Sequence, residues 1–214
     1  MDAEESWRAI AAQRLALADL LEGLRDEEWE RASLCQGWRV RDVAAHVAMA
    51  PQVAGVGALL ADAVRARGSF HRLNHDAAVR HAEGRPAARL VDELRTHAHS
   101  RRLPAVTNYR NILFDTVVHG LDVAVPLHRP WPVPAAVATA AADRVWSMGW
   151  PFWARRRLRG VRLVATDADW SAGTGAEARG PIAALLLLLT GRTAAAAPRL
   201  SGPGAPPGPP AGPA

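Results

Sequence analysis

The chain has 214 residues, 49% of them hydrophobic and 22% charged, which is enough for one ordinary core plus a small annex. The formal charge is +5, and every one of the 26 basic residues is arginine. A P-loop lysine, a Schiff-base lysine and a lysine general base are therefore excluded, and the single cysteine, Cys35, excludes an intrachain disulfide and a cysteine-rich zinc site.

The opening MDAEESWRAI is acidic and then amphipathic, unlike a signal peptide. The longest apolar run, around Leu185–Leu189, is far short of the roughly 20 residues that span a bilayer. A soluble, cytoplasmic protein is expected, with no membrane partner. Trp7, Ile10, Leu17, Leu21 and Leu24 recur at helical spacing and predict a first helix over about 5–24. "RDEEWERASLCQGW" is a turn-rich connector. A second helix starts near Trp38 and runs through "RVRDVAAHVAMA". Pro51 kinks or restarts it, with helix resuming to about Arg67. "GSFHRLNHDAAVRHAEGRP" is polar and reads as a loop with a short helical piece.

Pro86 opens a third helix that Pro104 ends. "NYRNILFDTVVHGLDVAV" is a fourth, stopping before Pro126. "LHRPWPVP" is a rigid linker, and a fifth helix runs up to Pro151. From Val161 the β-branched residues and turn signals predict a small strand pair. "PIAALLLLLTGR" is a helix apolar on every side, which must be buried. The Pro/Gly-rich end has too little to bury and is expected to be disordered. The fold class is mainly α: a four-helix bundle over 1–128, a linker and fifth helix over 129–153, a small α/β annex over 154–200 and a disordered tail over 201–214.

"DTVVHGLDVAVPL" places Asp115, His119 and Asp122 on one stripe of the fourth helix. An amphipathic helix ordinarily turns such a stripe to water. Ile112 and Val123, however, border it in place of charged residues, as on a helix buried among several neighbours. An acid and a histidine four apart on one helix can also give a divalent metal two ligands. A third ligand must then come from elsewhere. Of the eight histidines, His46 lies at the edge of the apolar face formed by Val40, Val43 and Val47. A histidine in such a place is either a satisfied structural residue or a ligand. His71 and His75 form a lesser, competing pair in a segment without a clear helical pattern. Cys35 reads as a small apolar residue packed beside the Trp38 turn, and the eight tryptophans read as core and annex contacts. The arginine cluster "ARRRLRG", with Arg155 to Arg157, reads as a solvated basic surface, with nucleic-acid binding the weaker reading.

Two motifs in order carry a resemblance to a known family. "CQGWRVRDVAAHVA" supplies Cys35, Gly37, Trp38, Arg41, Asp42 and His46, and the second motif supplies Asp115, His119, Asp122, Pro126 and Leu127. Together they resemble the metal-binding domain of the mycothiol-dependent maleylpyruvate isomerases, within the DinB-like helical bundles. "ARGP" at Ala178–Pro181 and "LLLLLTGR" resemble the family's C-terminal annex. The resemblance implies a DinB-like bundle and a metal triad of His46, Asp115 and His119, where the founding isomerases carry Glu at the position of Asp115.

Two imidazoles and a carboxylate suit Zn²⁺, and three protein ligands leave a place for water or substrate. Asp122 would orient His119 from behind, or else be a plain acid at the helix end. The resemblance implies mycothiol as a thiol cofactor, ionised at the metal, attacking a small electrophile as an isomerase or a thiol transferase. Arg110 and the loop arginines are candidates for holding a ligand's carboxylate. The alternative is a non-enzymatic, metal-binding regulatory or sensing module. Either would be a monomer or a homodimer.

Overall fold

A computed structural model describes residues 1–52, 69–103 and 107–208. Helix α1 (Ala3–Glu22) begins where Asp2 accepts from the Glu5 amide while the Glu5 carboxylate accepts from the Asp2 amide, so two otherwise unpaired donors are satisfied. Ile10, Leu17 and Leu21 are fully buried along it, as the spacing predicts. The connector holds one short helix, α2 (Asp26–Trp29), and leads into α3 (Val40–Met49). The helix expected to resume toward Arg67 lies outside the described residues.

Helix α4 (Phe70–Ala82) replaces the expected loop. Ser69 starts it by accepting from the Arg72 amide, and it packs against α3 with Ala78 and Ala82 buried. Contact with another helix, rather than a strong apolar pattern of its own, keeps it helical. Helix α5 (Ala87–Thr96) stops well before Pro104. The turn that follows it is held by the Arg14 guanidinium, which donates to the carbonyl oxygens of His97, Ala98 and Ser100 at 3.3, 3.2 and 3.0 Å. Arg14 is 1% exposed, and burial lowers its pKa to about 10.

Helix α6 (Tyr109–Ala124) starts at Asn108, whose side chain accepts from the amides of Arg110 and Asn111. It faces two apolar clusters. Leu113, Val117 and Leu121 join Ile10, Val145, Leu163 and Leu185, whereas Val123 joins Leu17, Val43, Leu90 and Leu127. A helix covered on two sides has little solvent face, so its charged stripe is not simply its wet side. Gly120 is required on α6 because a Cβ there would stand 2.1 Å from the Trp131 ring.

Helix α7 (Ala135–Ser147) and the short α8 (Ala154–Arg157) lead into the annex. The expected strand pair is a three-stranded sheet in the order β2-β1-β3. Strand β1 (Val161–Ala165) runs antiparallel to β2 (Ser171–Gly173) and parallel to β3 (Ala176–Gly180). The crossing from one edge to the other uses Gly173 and Gly175, both at positive φ. At Gly175 a Cβ would meet the Gly160 carbonyl oxygen at 2.1 Å. Helix α9 (Ile182–Leu189) is buried on every side, against α7 and the sheet. After α10 (Thr193–Ala196) and a 3₁₀ turn, the chain returns to β3. Ser201 exchanges two 2.8 Å backbone hydrogen bonds with Arg179, and the Gly204 amide donates to the Glu177 carbonyl oxygen at 2.8 Å. The tail expected to be disordered from 201 is therefore anchored to at least Gly204, because β3 leaves one edge unpaired. Residues 209–214 lie outside the described residues. No described helix is long and apolar enough to cross a membrane.

Candidate metal centre

His46, on the last turns of α3, points across the bundle at Asp115 of α6. His46 Nε2 lies 3.4 Å from Asp115 Oδ2, and His119 Nε2 lies 3.4 Å from Asp115 Oδ1. One donor atom from each residue falls within 4.8 Å of the others. Donors bound tetrahedrally at roughly 2.0–2.1 Å stand about 3.3 Å apart, so the two Asp115 edges already have the spacing of a coordination shell. The side chains of His46, Asp115 and His119 are 16%, 30% and 12% exposed, so the group is walled yet reachable. Trp38 forms part of that wall, edge-on to His46 at 5.6 Å and stacked on His119 at 6.3 Å.

The far side of His119 is closed. Its Nδ1 lies 2.9 Å from Asp122 Oδ2, so an Nδ1–H donating to that carboxylate leaves the Nε2 lone pair aimed toward Asp115 and His46. Asp122 is fully buried. It accepts from Arg192 Nε at 2.9 Å and Nη2 at 2.7 Å, and the Cys35 thiol donates to it at 3.0 Å. Burial alone would raise the Asp122 pKa, but the His119 hydrogen bond and the Arg192 charge outweigh it and hold the carboxyl at about 2. Burial would likewise raise Asp115, and the two imidazoles overcome it and hold Asp115 well below the usual carboxylate range. Burial disfavours a charge on His119, but Asp115 and then Asp122 outweigh it and raise its pKa well above the ordinary histidine value. Such an electronegative pocket attracts a proton or a metal cation to the same nitrogen.

Among the described residues, two groups of three potential ligands come together: His46 with Asp115 and His119, and Cys35 with His119 and Asp122. The second already has a cation against it, since Arg192 Nη2 also lies 3.4 Å from Cys35 Sγ. His71 and His75 belong to neither group. His75 sits edge-on to Trp38 at 5.7 Å, with Nδ1 3.0 Å from its neighbour Asp76. Arg110 is not brought to the site, lying over the Tyr109 ring at 5.2 Å. The arginine cluster is partly structural: Arg155 lies over Trp146, and Arg157 donates to the carbonyl oxygens of Phe152, Leu188 and Leu189.

Two residues of this arrangement escape sequence reasoning. Cys35 is not merely packed beside Trp38 but touches the acid behind His119. Arg192 comes from the annex, and its only signal is its place directly after a wholly apolar helix, where a turn returns the chain to the bundle.

Residues 10–107 match the model of a protein family described as the mycothiol maleylpyruvate isomerase N-terminal domain. The match includes His46 and ends before Asp115 and His119. No curated protein matches the chain in sequence. Among solved structures, the crystal structure of the mycothiol-dependent maleylpyruvate isomerase is 15% identical, with a TM-score of 0.63, covering 98% of this chain and 97% of that one. A histidine-to-alanine mutant of the same enzyme is 14% identical, with a TM-score of 0.64 and the same coverage. At these identities the likeness shows a shared fold over the full length of both chains, a mainly α DinB-like bundle with its annex. The match over 10–107 bears out the family resemblance carried by the first motif, Cys35 to His46.

Proposed function

Starting from a chain whose residues 10–107 match the model of the mycothiol maleylpyruvate isomerase N-terminal domain, we propose that it is a metal- and mycothiol-dependent enzyme of the isomerase type. Its reaction is addition of the thiol sulfur to a small electrophile, ending in isomerisation or thiol transfer. The observation that carries this reading is the spacing of one carboxylate between two imidazoles, 3.4 Å on each side.

His46, Asp115 and His119 are the ligands in this reading. Two imidazoles and one carboxylate suit zinc, with room left for a further ligand. When bound, the cation supplies Lewis acidity that ionises a coordinated thiol near neutral pH. The protein's own residues do the rest. Asp122 keeps the His119 proton on Nδ1 and so fixes the ring's orientation. Arg192 keeps Asp122 ionised. Trp38 covers one side of the imidazoles and limits water there.

The test combines metal analysis with turnover. Purified protein should hold close to one zinc, and His46→Ala, Asp115→Ala and His119→Ala should each lose it while keeping a helical circular dichroism spectrum. Wild type should consume mycothiol-dependent electrophiles, maleylpyruvate among them, and the three variants should not. Retained metal without turnover across an electrophile panel would favour a metal-binding module instead.

A further inference from the structure

His119 turns its Nε2 toward Asp115 and His46, but its Nδ1 faces a second set of donors with a different chemistry. Cys35 Sγ lies 3.8 Å from that nitrogen, Asp122 Oδ2 lies 2.9 Å from it, and Sγ and Oδ2 are 3.0 Å apart. A thiol, an imidazole and a carboxylate therefore meet within 4.8 Å, one from the connector before α3 and two from α6. Asp122 is fully buried and Cys35 only half-buried, so the sulfur is the side from which an ion reaches the group.

Sulfur decides which ion fits. A thiolate beside an imidazole selects a soft cation such as monovalent copper. First-row metal bonds of roughly 2.3 Å to sulfur and 2.0 Å to nitrogen, opened to about 120°, put those two atoms about 3.7 Å apart, and the observed separation is 3.8 Å. Charge points the same way. Arg192 and Asp122 already cancel one another at this spot. Exchanging the thiol proton for a monovalent cation keeps that balance, whereas a divalent ion adds an uncompensated charge to a buried site. Arg192 also marks where positive charge is held: its Nη2 donates to Asp122 Oδ2 at 2.7 Å and lies 3.4 Å from Cys35 Sγ. Only that corner of the guanidinium must give way, because Nε has its own bond to Oδ1 at 2.9 Å. Arg192 borders an open groove that leaves room for the shift.

We propose that Cys35, His119 and Asp122 form a binding site for a soft monovalent cation of the Cu⁺ type, and that its occupation excludes zinc from the neighbouring triad. Binding forms a bond between Cys35 Sγ and the cation and releases the thiol proton to solvent, with no change of oxidation state. The cation also takes the Nδ1 lone pair of His119. The ring hydrogen then resides on Nε2, 3.4 Å from Asp115, and occupies the position at which zinc would bind. One imidazole serves either ion but not both. The exclusion rests on the metal reading above, and the soft-cation site does not.

Anaerobic titration of the full-length protein with Cu⁺, in competition with a chromogenic copper(I) chelator, tests the site. The zinc-free wild type should take up one Cu⁺ and show thiolate-to-copper absorption, for which Cys35, the single cysteine, is the only donor. Cys35→Ser should weaken binding by roughly 100-fold or more, and His46→Ala should leave it within about threefold of wild type. The same titration of zinc-loaded protein, followed with a zinc-selective fluorescent indicator, tests the exclusion. One equivalent of Cu⁺ should release the zinc from wild type and leave it in Cys35→Ser. Circular dichroism reports whether each variant folds, and Cys35→Ala carries the test if Cys35→Ser does not fold. Equal copper affinity in wild type and the folded Cys35 variant would overturn the site, as would loss of copper binding in folded His46→Ala. Copper bound at Cys35 with zinc retained would overturn the exclusion. A wild type that binds no zinc would overturn the metal-centre reading and the exclusion with it, while the Cys35 comparison would still decide the copper site.

Discussion

Arg192 meets Asp122 with two N–H donors, at 2.9 and 2.7 Å, across 70 residues of sequence. The carboxylate is fully buried and the guanidinium side chain is 14% exposed. This pair joins the turn after α9 to the helix that presents Asp115 and His119. It ties the annex to the candidate metal centre through a single acid.

Arg192→Ala is expected to destabilise the protein by about 3–5 kcal/mol, because it leaves a buried carboxylate without its countercharge. Arg192→Lys should recover only part of this, since an ammonium cannot make the two-pronged contact. Urea unfolding of the zinc-free protein measures both. A loss below about 1 kcal/mol for the alanine variant would show that the pair is no more than a surface contact in strength.

Asp122→Asn keeps the shape behind His119 but removes the charge that holds the Nδ1 proton. Zinc affinity should fall by roughly 10- to 100-fold while helicity is retained. Competition with a chromogenic chelator gives the number. Equal affinities would mean that Asp122 serves the fold alone.

Cys35→Ser leaves a hydroxyl that can still donate to Asp122. Cys35→Val removes the donor and puts a methyl group against a buried carboxylate. The serine variant should stay within about 1 kcal/mol of wild type, and the valine variant should lose about 1–3 kcal/mol. Identical stabilities would return Cys35 to a plain packing role.

Gly120→Ala drives a methyl group into the Trp131 ring, where the ideal Cβ would stand 2.1 Å from it. The expected cost is about 1–3 kcal/mol, as for overpacking elsewhere. Most of that cost should disappear in the Gly120→Ala background when Trp131 is changed to Leu. A thermal-melt double-mutant cycle reads the coupling, and additive effects would contradict the contact.

Away from the metal centre, Glu93 accepts from Gln52 and Arg85 and lies 2.6 Å from His81 Nε2. Burial would raise its pKa, but the His81 and Gln52 hydrogen bonds outweigh it and the carboxyl is lowered from 4.5. A lowered carboxyl contributes stability that is complete above the unfolded value and is lost as pH falls through the folded one. Glu93→Gln should therefore flatten the acid limb of the stability profile below about pH 5. Parallel acid limbs in wild type and variant would sink the assignment.

What the sequence by itself determined is whatever near neighbours encode. The recurrence of Trp7, Ile10, Leu17, Leu21 and Leu24 predicts α1, the four-residue spacing puts Asp115 and His119 on one side of α6, and the unbroken apolar run predicts a buried α9. Each follows from helical periodicity. The family motifs added His46 to the pair, though nothing in its own segment distinguishes a ligand from a satisfied core histidine. Tertiary structure alone decided that Asp122 is buried rather than wet, that Cys35 and Arg192 converge on it, that α4 is a helix, and that the Pro/Gly-rich tail pairs with β3. The physical reason is the same in each case. A charge stripe has no solvent face when two cores close over its helix, and a strand edge or a buried carboxylate takes its partner from wherever packing brings a matching group, which no local spacing records.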